Sequence, residues 1–464
     1  MPNEYLFDKP HETVSELADQ IIESQRHVPG LLFSYPPISC WEPYEDGGPG
    51  PETLWAESNR FSHNLYIHIP FCKQKCSFCY YSVAVIKEDE DVIWEYLKCL
   101  EIEALRYVDL FVDKPIETVF IGGGTPSRLN EEQIEFLFEH VIRRFNLSRC
   151  REITYECSPD SASQGRIKSM VDMGTTRMSM GVQSLDPEIL KKSRRGDSPD
   201  SVIATYYNMV DSGVGSVNID LIAGIEKEAL SNMERTMNGV ANLDPLPTQI
   251  TLFTLSVRET AINFKTLADQ EPTRLFERSL ALYRYAKRRM IDMGYWQYSR
   301  NLFPRPESLF HYQDNHWGNN GYVLALGASS YSHSGNWTYM NSFRFSDYMN
   351  KMKAGESTVE KIFEMSEDET QRRHVSLAMK HAELNTERFN AFYGYDVLER
   401  FSLEFETLET LAIIQRTPGM IRYTPEYADL SDRFVRLFYS QQVNSRIRAG
   451  VSERDKRNAF SFTV

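Results

Sequence analysis

The chain has 464 residues, of which 41% are hydrophobic and 25% charged, the composition of a globular protein with a large core. Its formal net charge of −14 disfavours a nucleic acid partner, because an acidic surface repels phosphate groups. No apolar run reaches the length of about 18 residues that a membrane-spanning helix needs. Residues 1–10 are unlike a secretory signal, and an odd number of cysteines, 7, argues against a disulfide framework, so we expect a cytoplasmic protein.

Residues 62–300 alternate between short apolar runs and helical periodicity. The predicted strands are 65–69, 118–121, 152–156, 177–181, 216–223 and 249–255. The predicted helices are 92–110, 130–145 (with Asn130 as N-cap), 164–173, 187–193, 199–212, 228–243 and 273–293. These strand–helix units predict a parallel sheet with crossover helices, either an open three-quarter barrel or a doubly wound sheet. Both folds place the functional site at the carboxyl ends of the strands.

Three other regions flank this one. Residues 1–61 are predicted to be an extension, with an amphipathic helix near Val14–Ser24 and an irregular loop over the proline- and glycine-rich residues 35–50. Residues 301–365 form a connecting region that contains a run of small residues, 321–332. Residues 366–464 resemble a small winged-helix-like domain; the predicted helices are 367–382, 385–392, 404–414 and 430–441, with a turn at Pro418-Gly419.

Cys72, Cys76 and Cys79 follow the first predicted strand, with three and two residues between them. Three thiolates this close can wrap one corner of a [4Fe–4S] cluster, for which the usual ferredoxin site supplies four cysteines. Three leave one iron open to a ligand with an amine and a carboxylate, such as the methionine part of S-adenosylmethionine (SAM). The alternative is a structural zinc site, which needs a fourth Cys or His at a matching spacing; His68 is near, but lies on the strand.

Gly122-Gly123-Gly124 follows the second strand and precedes Thr125 and Pro126. A backbone without side chains can approach the amino group or ribose of a ligand closely, although glycines serve tight turns equally well. The segment matches neither a P-loop nor a GxGxxG motif, which disfavours nucleoside triphosphates and NAD.

Single polar residues end the later strands: Glu156, Gln183 and Asp220, with Arg195 nearby. A buried carboxylate is costly unless it is paired. Glu156 could therefore accept a hydrogen bond from a ligand ammonium, and Arg195 could bind a ligand carboxylate. The alternative for each is a structural ion pair, but their shared position at one predicted rim favours a ligand.

Two further sets of residues are less specific. Phe78 and Tyr80, beside the third cysteine, could pack on an adenine ring or in the core. Residues 314–317, with the small residues of 322–330, could line a pocket beside the mouth of the sheet or form a closely packed turn.

Together these residues resemble the radical SAM proteins of the oxygen-independent coproporphyrinogen III oxidase (HemN-like) group. Residues 66–79 read Tyr-Ile-His-Ile-Pro-Phe-Cys-Lys-Gln-Lys-Cys-Ser-Phe-Cys, like the cluster loop of that group. The later blocks are 122–126, the strand with Glu156, 181–184, 218–224, 321–332 and the tail with Tyr423-Thr424-Pro425. The resemblance covers about residues 62–445 and implies an α/β fold, an open TIM-like β6α6 barrel, with a mostly helical C-terminal domain.

The resemblance also implies the ligand-binding residues and the cofactors. Cys72, Cys76 and Cys79 would hold the [4Fe–4S] cluster. The residues beside the cluster-bound SAM would be Tyr66, Phe78, Tyr80, Gly123, Gly124, Thr125, Glu156, Gln183, Arg195 and Asp220. Many members are similar in holding a second SAM, and Ile222 and Thr254 match positions near it.

The chain departs from the group at several places. The oxidases have another cysteine two residues after the third ligand, where this chain has Tyr81. The familiar Leu-Pro-Gly-Gln-Thr is replaced by Ile-Glu-Lys-Glu-Ala at 225–229. The histidine–asparagine pair of the haem-chaperone branch is altered to Asp-Asn-His at 314–316. The N-terminal extension, with Trp41, suggests a specialised substrate lid.

These departures favour a radical SAM methylase or cyclopropanase that acts on a small-molecule substrate, with flavodoxin or ferredoxin as the reducing partner. One SAM would yield a 5′-deoxyadenosyl radical, which would take hydrogen from the methyl group of a second SAM, and the resulting methylene radical would add to an sp2 carbon. The alternatives are coproporphyrinogen III decarboxylation and haem binding by a chaperone with a vestigial radical site.

Overall fold

A computed structural model describes residues 13–24, 34–86, 90–256, 261–267 and 272–455. Its strands are β1 (Glu42–Pro43), β2 (His63–Ile69), β3 (Phe71–Cys72), β4 (Ala84–Val85), β5 (Ile116–Gly123), β6 (Glu152–Cys157), β7 (Arg177–Gln183), β8 (Ser216–Ala223), β9 (Gln249–Thr254), β10 (Leu302–Pro304), β11 (Tyr322–Leu326), β12 (Tyr331–His333), β13 (Trp337–Asn341), β14 (Val359–Glu364), β15 (Glu383–Asn385), β16 (Ile414–Thr417) and β17 (Met420–Tyr423).

The helices lie in the segments that connect these strands and in the C-terminal region. They are α1 (Val14–Ser24), α2 (Pro51–Trp55), α3 (Glu90–Leu105), α4 (Glu131–His140), α5 (Gln164–Asp172), α6 (Pro187–Lys192), α7 (Pro199–Asp211), α8 (Leu230–Ala241), α9 (Phe264–Leu267), α10 (Pro272–Asp292), α11 (His311–Gln313), α12 (Phe345–Ala354), α13 (Glu367–His381), α14 (Thr386–Tyr393), α15 (Val397–Arg400), α16 (Ser402–Thr410) and α17 (Gln441–Asp455). Among the described residues, no helix is both long and apolar enough to cross a bilayer.

One open sheet organises the chain. Its order is β1-β14-β13-β12-β11-β2-β5-β6-β7-β8-β9-β10. The predicted strands β2, β5, β6, β7, β8 and β9 are adjacent and parallel, with helices between them, which confirms the predicted α/β fold. The order does not close on itself, as expected of a partial barrel.

The two faces of the parallel strands differ in chemistry. On β2, Leu65, Ile67 and Ile69 are fully buried in the hydrophobic core. Because side chains alternate along a strand, Tyr66 and His68 face the opposite side. The corresponding positions of the neighbouring strands are largely polar, namely Thr118, Glu152, Thr154, Glu156, Arg177, Ser179, Asn218, Asp220, Gln249 and Thr251. The sheet therefore presents a polar inner face, whose carboxyl edge carries the candidate site.

The connecting region extends the sheet at its other edge. Strand β11 pairs parallel to β2, and β12, β13, β14 and β1 continue it with antiparallel pairing. All five residues of β11 are buried, which favours the packed-core interpretation of this small-residue block. The strands β12 to β14 were not predicted, because their short sequences lack a clear alternation of apolar and polar positions.

The C-terminal region combines helices with a small sheet, in the order β15-β17-β16. The predicted turn at Pro418-Gly419 joins β16 to β17. The predicted helix at 430–441 is wrong: the chain forms two 3-10 turns, Ala428–Arg433 and Val435–Phe438, before α17. A 3-10 turn has nearly the same apolar spacing as one turn of an α-helix, so the pattern did not distinguish the two.

The N-terminal extension packs against the C-terminal region. Tyr35 is fully buried, and its hydroxyl donates to the Glu369 carboxylate of α13. The predicted irregular loop 35–50 is partly regular, since it contains a 3-10 turn (Ile38–Cys40) and the edge strand β1. A role of the extension as a substrate lid stays a prediction.

The predicted N-cap of α4 is confirmed, and it allows a stability test. The Asn130 side chain accepts from the Gln133 backbone N–H at 2.9 Å, and the Gln133 side chain accepts from the Asn130 N–H at 3.0 Å. Asn130→Ala leaves the Gln133 N–H without its side-chain acceptor, so we expect the free energy of unfolding to fall by about 1 kcal/mol. Urea titration followed by circular dichroism would measure it. Asn130→Asp keeps the acceptor and should lose much less; equal losses would contradict the capping role.

Candidate active site

The cysteine loop begins on β3 and ends at β4, and these two strands form a separate two-stranded sheet. Cys72 pairs in register with Val85, so both ends of the loop are tied together. Within the loop, the Cys79 N–H donates to the Cys76 carbonyl at 3.2 Å, which turns the chain tightly between these two thiols. Cys72 is buried, whereas Cys76 and Cys79 are half-buried, and all three are free thiols.

The electrostatics of the three thiols reflect their proximity. Burial, with smaller contributions from the charges of Cys79 and Cys76, raises the pKa of Cys72 to about 11. Burial likewise raises the pKa of Cys76, opposed by the nearby Arg195. The Cys72 Sγ lies 3.4 Å from the Thr125 Oγ1, which joins the loop to the end of β5.

These thiols fit an iron–sulfur cluster by their chemistry and placement. In a cubane, each thiolate binds a different iron, so the three ligands need not converge on one point. Within the described ranges, no three Cys, His, Asp or Glu side chains form a site for a single metal ion. A thiol-only donor set beside a polar strand edge suits a [4Fe–4S] cluster with one open iron.

The glycine loop lies directly against the cysteine loop. The Gly124 N–H donates to the Ile69 carbonyl at 2.8 Å, and a Cβ at Gly124 would lie 2.8 Å from the Pro70 carbonyl carbon. Gly123 has φ +118°, and a Cβ there would lie 2.7 Å from the His68 ring. Glycine is needed here for close approach to the protein itself, and this approach brings Thr125 to Cys72.

Two half-buried carboxylates, Glu156 and Asp220, stand on the inner face below these loops. The Gly123 N–H donates to Glu156 Oε2 at 3.0 Å. Burial, with a smaller contribution from the Asp220 charge, raises the pKa of Glu156 to about 7. Asp220 accepts from the Asn218 amide at 2.8 Å and the Ser179 hydroxyl at 3.2 Å. Glu156 thus has one backbone donor and a high proton affinity, and is suited to accept a hydrogen bond from a ligand amine.

Arg195 makes the ion pair that the sequence left as an alternative, and it also lies at the predicted rim. Its Nε donates to Asp197 Oδ2 at 3.1 Å, and both side chains are almost entirely buried. Its Nη2 donates to the Gly181 carbonyl at 2.6 Å. The charge of Arg195 acts on Cys76, so the guanidinium is near the cysteine loop. Gln183 ends β7 with φ +67°, a left-handed conformation that turns the chain at this rim.

The remaining predicted residues lie on the cysteine loop and on the inner face of the sheet. Tyr66 stacks on Phe120 with ring centroids 5.8 Å apart, and its hydroxyl lies 3.1 Å from His68 Nδ1. Tyr80 and Phe78 are half-buried on the cysteine loop. Ile222 is half-buried on the inner face of β8, two residues beyond Asp220.

Thr254 lies at the carboxyl end of β9, where its hydroxyl accepts from the Arg300 Nη2 at 3.3 Å. Arg300 is itself ion-paired to Asp432 of the C-terminal region. Thr254 is therefore tied to the C-terminal region through Arg300.

Sequence analysis missed a buried cation on the inner face. Arg177 is 2% exposed, its Nε donates to Gln249 Oε1 at 2.9 Å, and its guanidinium lies 3.9 Å from the Phe310 ring centroid. Burial lowers the pKa of Arg177, while the carboxylates of Glu152, Asp220 and Glu156 oppose that shift. The signal was present as an arginine at the start of a predicted buried strand. The positive charge of Arg177 partly balances the negative charges of these carboxylates.

The chain is similar to several known proteins. Residues 66–239 match the model of the radical SAM superfamily. The chain is 24% identical over 367 residues to "Heme chaperone HemW" of Bacillus subtilis, covering 78% of this chain and 95% of the relative. It is 32% identical over 182 residues to "Oxygen-independent coproporphyrinogen III oxidase" of Salmonella typhimurium, covering 39% of this chain and 40% of the oxidase.

The fold is also found in a solved structure. Coproporphyrinogen III oxidase (HemN) from Escherichia coli superposes with a TM-score of 0.75 and 22% identity, covering 88% of this chain and 96% of that one. The thiol triplet and the parallel sheet accompany these matches: residues 66–239 are similar to the radical SAM superfamily, and 88% of the chain shares the fold of HemN.

Proposed function

We propose that Cys72, Cys76 and Cys79 hold a [4Fe–4S] cluster at which the chain cleaves SAM reductively. The observation that carries this proposal is the contact of Cys72 with Thr125 at the carboxyl edge of the parallel strands, with Cys76 and Cys79 near enough for their charges to act on Cys72. When bound, the cluster would supply the electron that splits SAM into methionine and a 5′-deoxyadenosyl radical. An electron donor such as flavodoxin or ferredoxin would have to reduce it.

The residues of the chain would then bind and orient SAM. Glu156 would accept a hydrogen bond from the methionine amino group, and Arg195, already held by Asp197, would face the methionine carboxylate. Asp220, fixed by its own donors, would accept from the ribose hydroxyls. Further contacts with SAM are assigned to Tyr66, Phe78, Tyr80, Gly123, Gly124, Thr125 and Gln183.

For the molecule acted on, we infer a tetrapyrrole, with haem binding as the first candidate. The relative named a haem chaperone aligns with most of this chain and with 95% of its own length, whereas the oxidase aligns over 40% of its length. Tyr81 replaces the additional cysteine of the oxidases and is 52% exposed, with its ring centroid 4.6 Å from that of Tyr80. The rings of Tyr80 and Tyr81 offer an apolar surface on which a flat ring system can pack. This surface supports binding of a flat tetrapyrrole more than decarboxylation of a porphyrinogen.

Methylation or cyclopropanation of an sp2 carbon is the second candidate. Two departures from the oxidases support it, namely Tyr81 and the altered loop at 225–229. A second SAM would need room on the inner face beyond Asp220, where Ile222 is half-buried. In that case Ile222 and Thr254 would contact the second SAM.

One anaerobic experiment separates these candidates. The reconstituted protein is incubated with a reductant and methyl-deuterated SAM, with and without haem or coproporphyrinogen III. We expect unlabelled 5′-deoxyadenosine and stoichiometric haem binding, seen as a Soret band shift. Deuterium in 5′-deoxyadenosine would instead establish a methyl group as the hydrogen donor, and carbon dioxide release from coproporphyrinogen would establish the oxidase. Absence of any 5′-deoxyadenosine, with a full cluster, would contradict SAM cleavage.

A further inference from the structure

The cysteine loop is held at its middle as well as at its ends. Ser77, between Cys76 and Cys79, is 4% exposed. Its N–H donates to the Ser193 carbonyl at 3.0 Å, and its carbonyl accepts from the Asn263 N–H at 2.9 Å. Two segments from other strand ends thus meet the loop at this one residue.

A third segment reaches Ser77 through a carboxylate. The Ser77 hydroxyl donates to Oε1 of Glu226, in the turn after β8. The same Oε1 accepts from the Asn263 side-chain amide at 3.1 Å. Glu226 therefore joins the cysteine loop, the turn after β8 and the segment after β9 through one oxygen atom.

The turn that carries Glu226 has an unfavourable backbone. Glu226 has φ +48° and Lys227 has φ +62°, so two consecutive non-glycine residues are left-handed. The Glu228 carboxylate holds the turn, since its Oε2 accepts from the Gly224 N–H at 2.7 Å. Strained residues persist only where the surroundings hold them, and here the strain directs a carboxylate at the cysteine loop.

We propose that Glu226 is a positioning residue that fixes the cysteine loop between Cys76 and Cys79. Its bond to Ser77 restrains the backbone that carries both thiols. Without that acceptor, the buried Ser77 hydroxyl loses its partner, and the loop opens more often. The consequence for cluster retention rests on the proposed function; the restraint of the loop does not.

The first test uses the metal-free chain. Glu226→Ala should raise amide hydrogen exchange in the peptide spanning residues 72–80 by about tenfold, the effect of losing a hydrogen bond to a charged group. Ser77→Ala, which removes the donor instead, should give a similar increase. Glu226→Gln keeps an acceptor and should restore near wild-type exchange. Glu234→Ala on α8 is the matched control, since the described residues show no bond from Glu234 to the loop. Unchanged exchange in Glu226→Ala, with a wild-type circular dichroism spectrum, would overturn the proposal.

The second test uses the reconstituted protein. Cluster lifetime is followed by visible absorbance after addition of an iron chelator, and we expect Glu226→Ala to lose its cluster several times faster than wild type or Glu226→Gln. Faster exchange with an unchanged lifetime would overturn the consequence for the cluster. A wild-type protein that takes up no cluster would contradict the proposed function, while the exchange test would still decide whether Glu226 restrains the loop.

Discussion

Cys76→Ala is expected to abolish cluster binding and to lower SAM cleavage by at least on the order of a thousandfold. The residual thiols, Cys72 and Cys79, can bind only two irons, so the cluster would lose one of its protein ligands. Iron content, visible absorbance and 5′-deoxyadenosine formation after anaerobic reconstitution measure the effect.

Cys150→Ala is the matched control for this substitution. Cys150 is also a half-buried free thiol, but it precedes β6 at the opposite end of the parallel strands, where its Sγ contacts the Glu152 carbonyl at 3.5 Å. Its loss should leave iron content and SAM cleavage unchanged. Full cluster absorbance in Cys76→Ala would refute the ligand assignment.

Glu156→Gln is expected to stabilise the metal-free chain at neutral and higher pH. The folded pKa of Glu156 is raised from 4.5 to about 7, chiefly by burial. The folded state therefore holds a proton that the unfolded state has released, and the stability conferred is complete below about pH 4.5 and lost as the pH rises through about 7. The loss is at most about 3 kcal/mol, reduced because the side chain is only half-buried. A glutamine side chain stays neutral at every pH, so the Glu156→Gln variant does not lose this stability as the pH rises.

Unfolding by urea at pH 5 and pH 8 tests this expectation, with the variant compared with wild type at each pH. The difference should be small at pH 5 and should favour Glu156→Gln at pH 8. Glu152→Gln is the matched control, because Glu152 is buried at the other end of the same strand and accepts from the His311 N–H at 2.8 Å. An equal pH dependence of both variants would show that Glu156 is not the group responsible.

Much of the parallel sheet follows from local pattern alone. The strand predicted at 216–223 is β8 residue for residue, and the other five parallel strands end within two residues of their predicted positions. Each of these strands is a short segment in which buried apolar residues alternate with inner-face residues that are largely polar, and the helices between them have one apolar stripe, so each is recognisable without knowledge of its partners. The same holds for the cysteine triplet, which is local by nature.

The antiparallel strands and the inner face are different, because their stability comes from distant partners. Asn341 at the end of β13 is held in a buried network around Glu103, which accepts from the Asn341 amide at 2.6 Å and the Tyr348 hydroxyl at 2.6 Å. No residue near Glu103 in the sequence reveals these contacts. Arg177 is similar, since the charges of Glu152, Asp220 and Glu156 oppose the cost of burying its guanidinium.

The amino-acid sequence by itself therefore determined the strand–helix alternation, the thiol triplet and the polar residues that end the strands. Only the tertiary structure decided which of these residues meet. It placed Thr125 against Cys72, gave Glu156 its high proton affinity beside Asp220, and directed Glu226 at Ser77 through a strained turn. The physical reason is that hydrogen bonds and charge interactions depend on distances of a few ångströms between residues that are far apart along the chain.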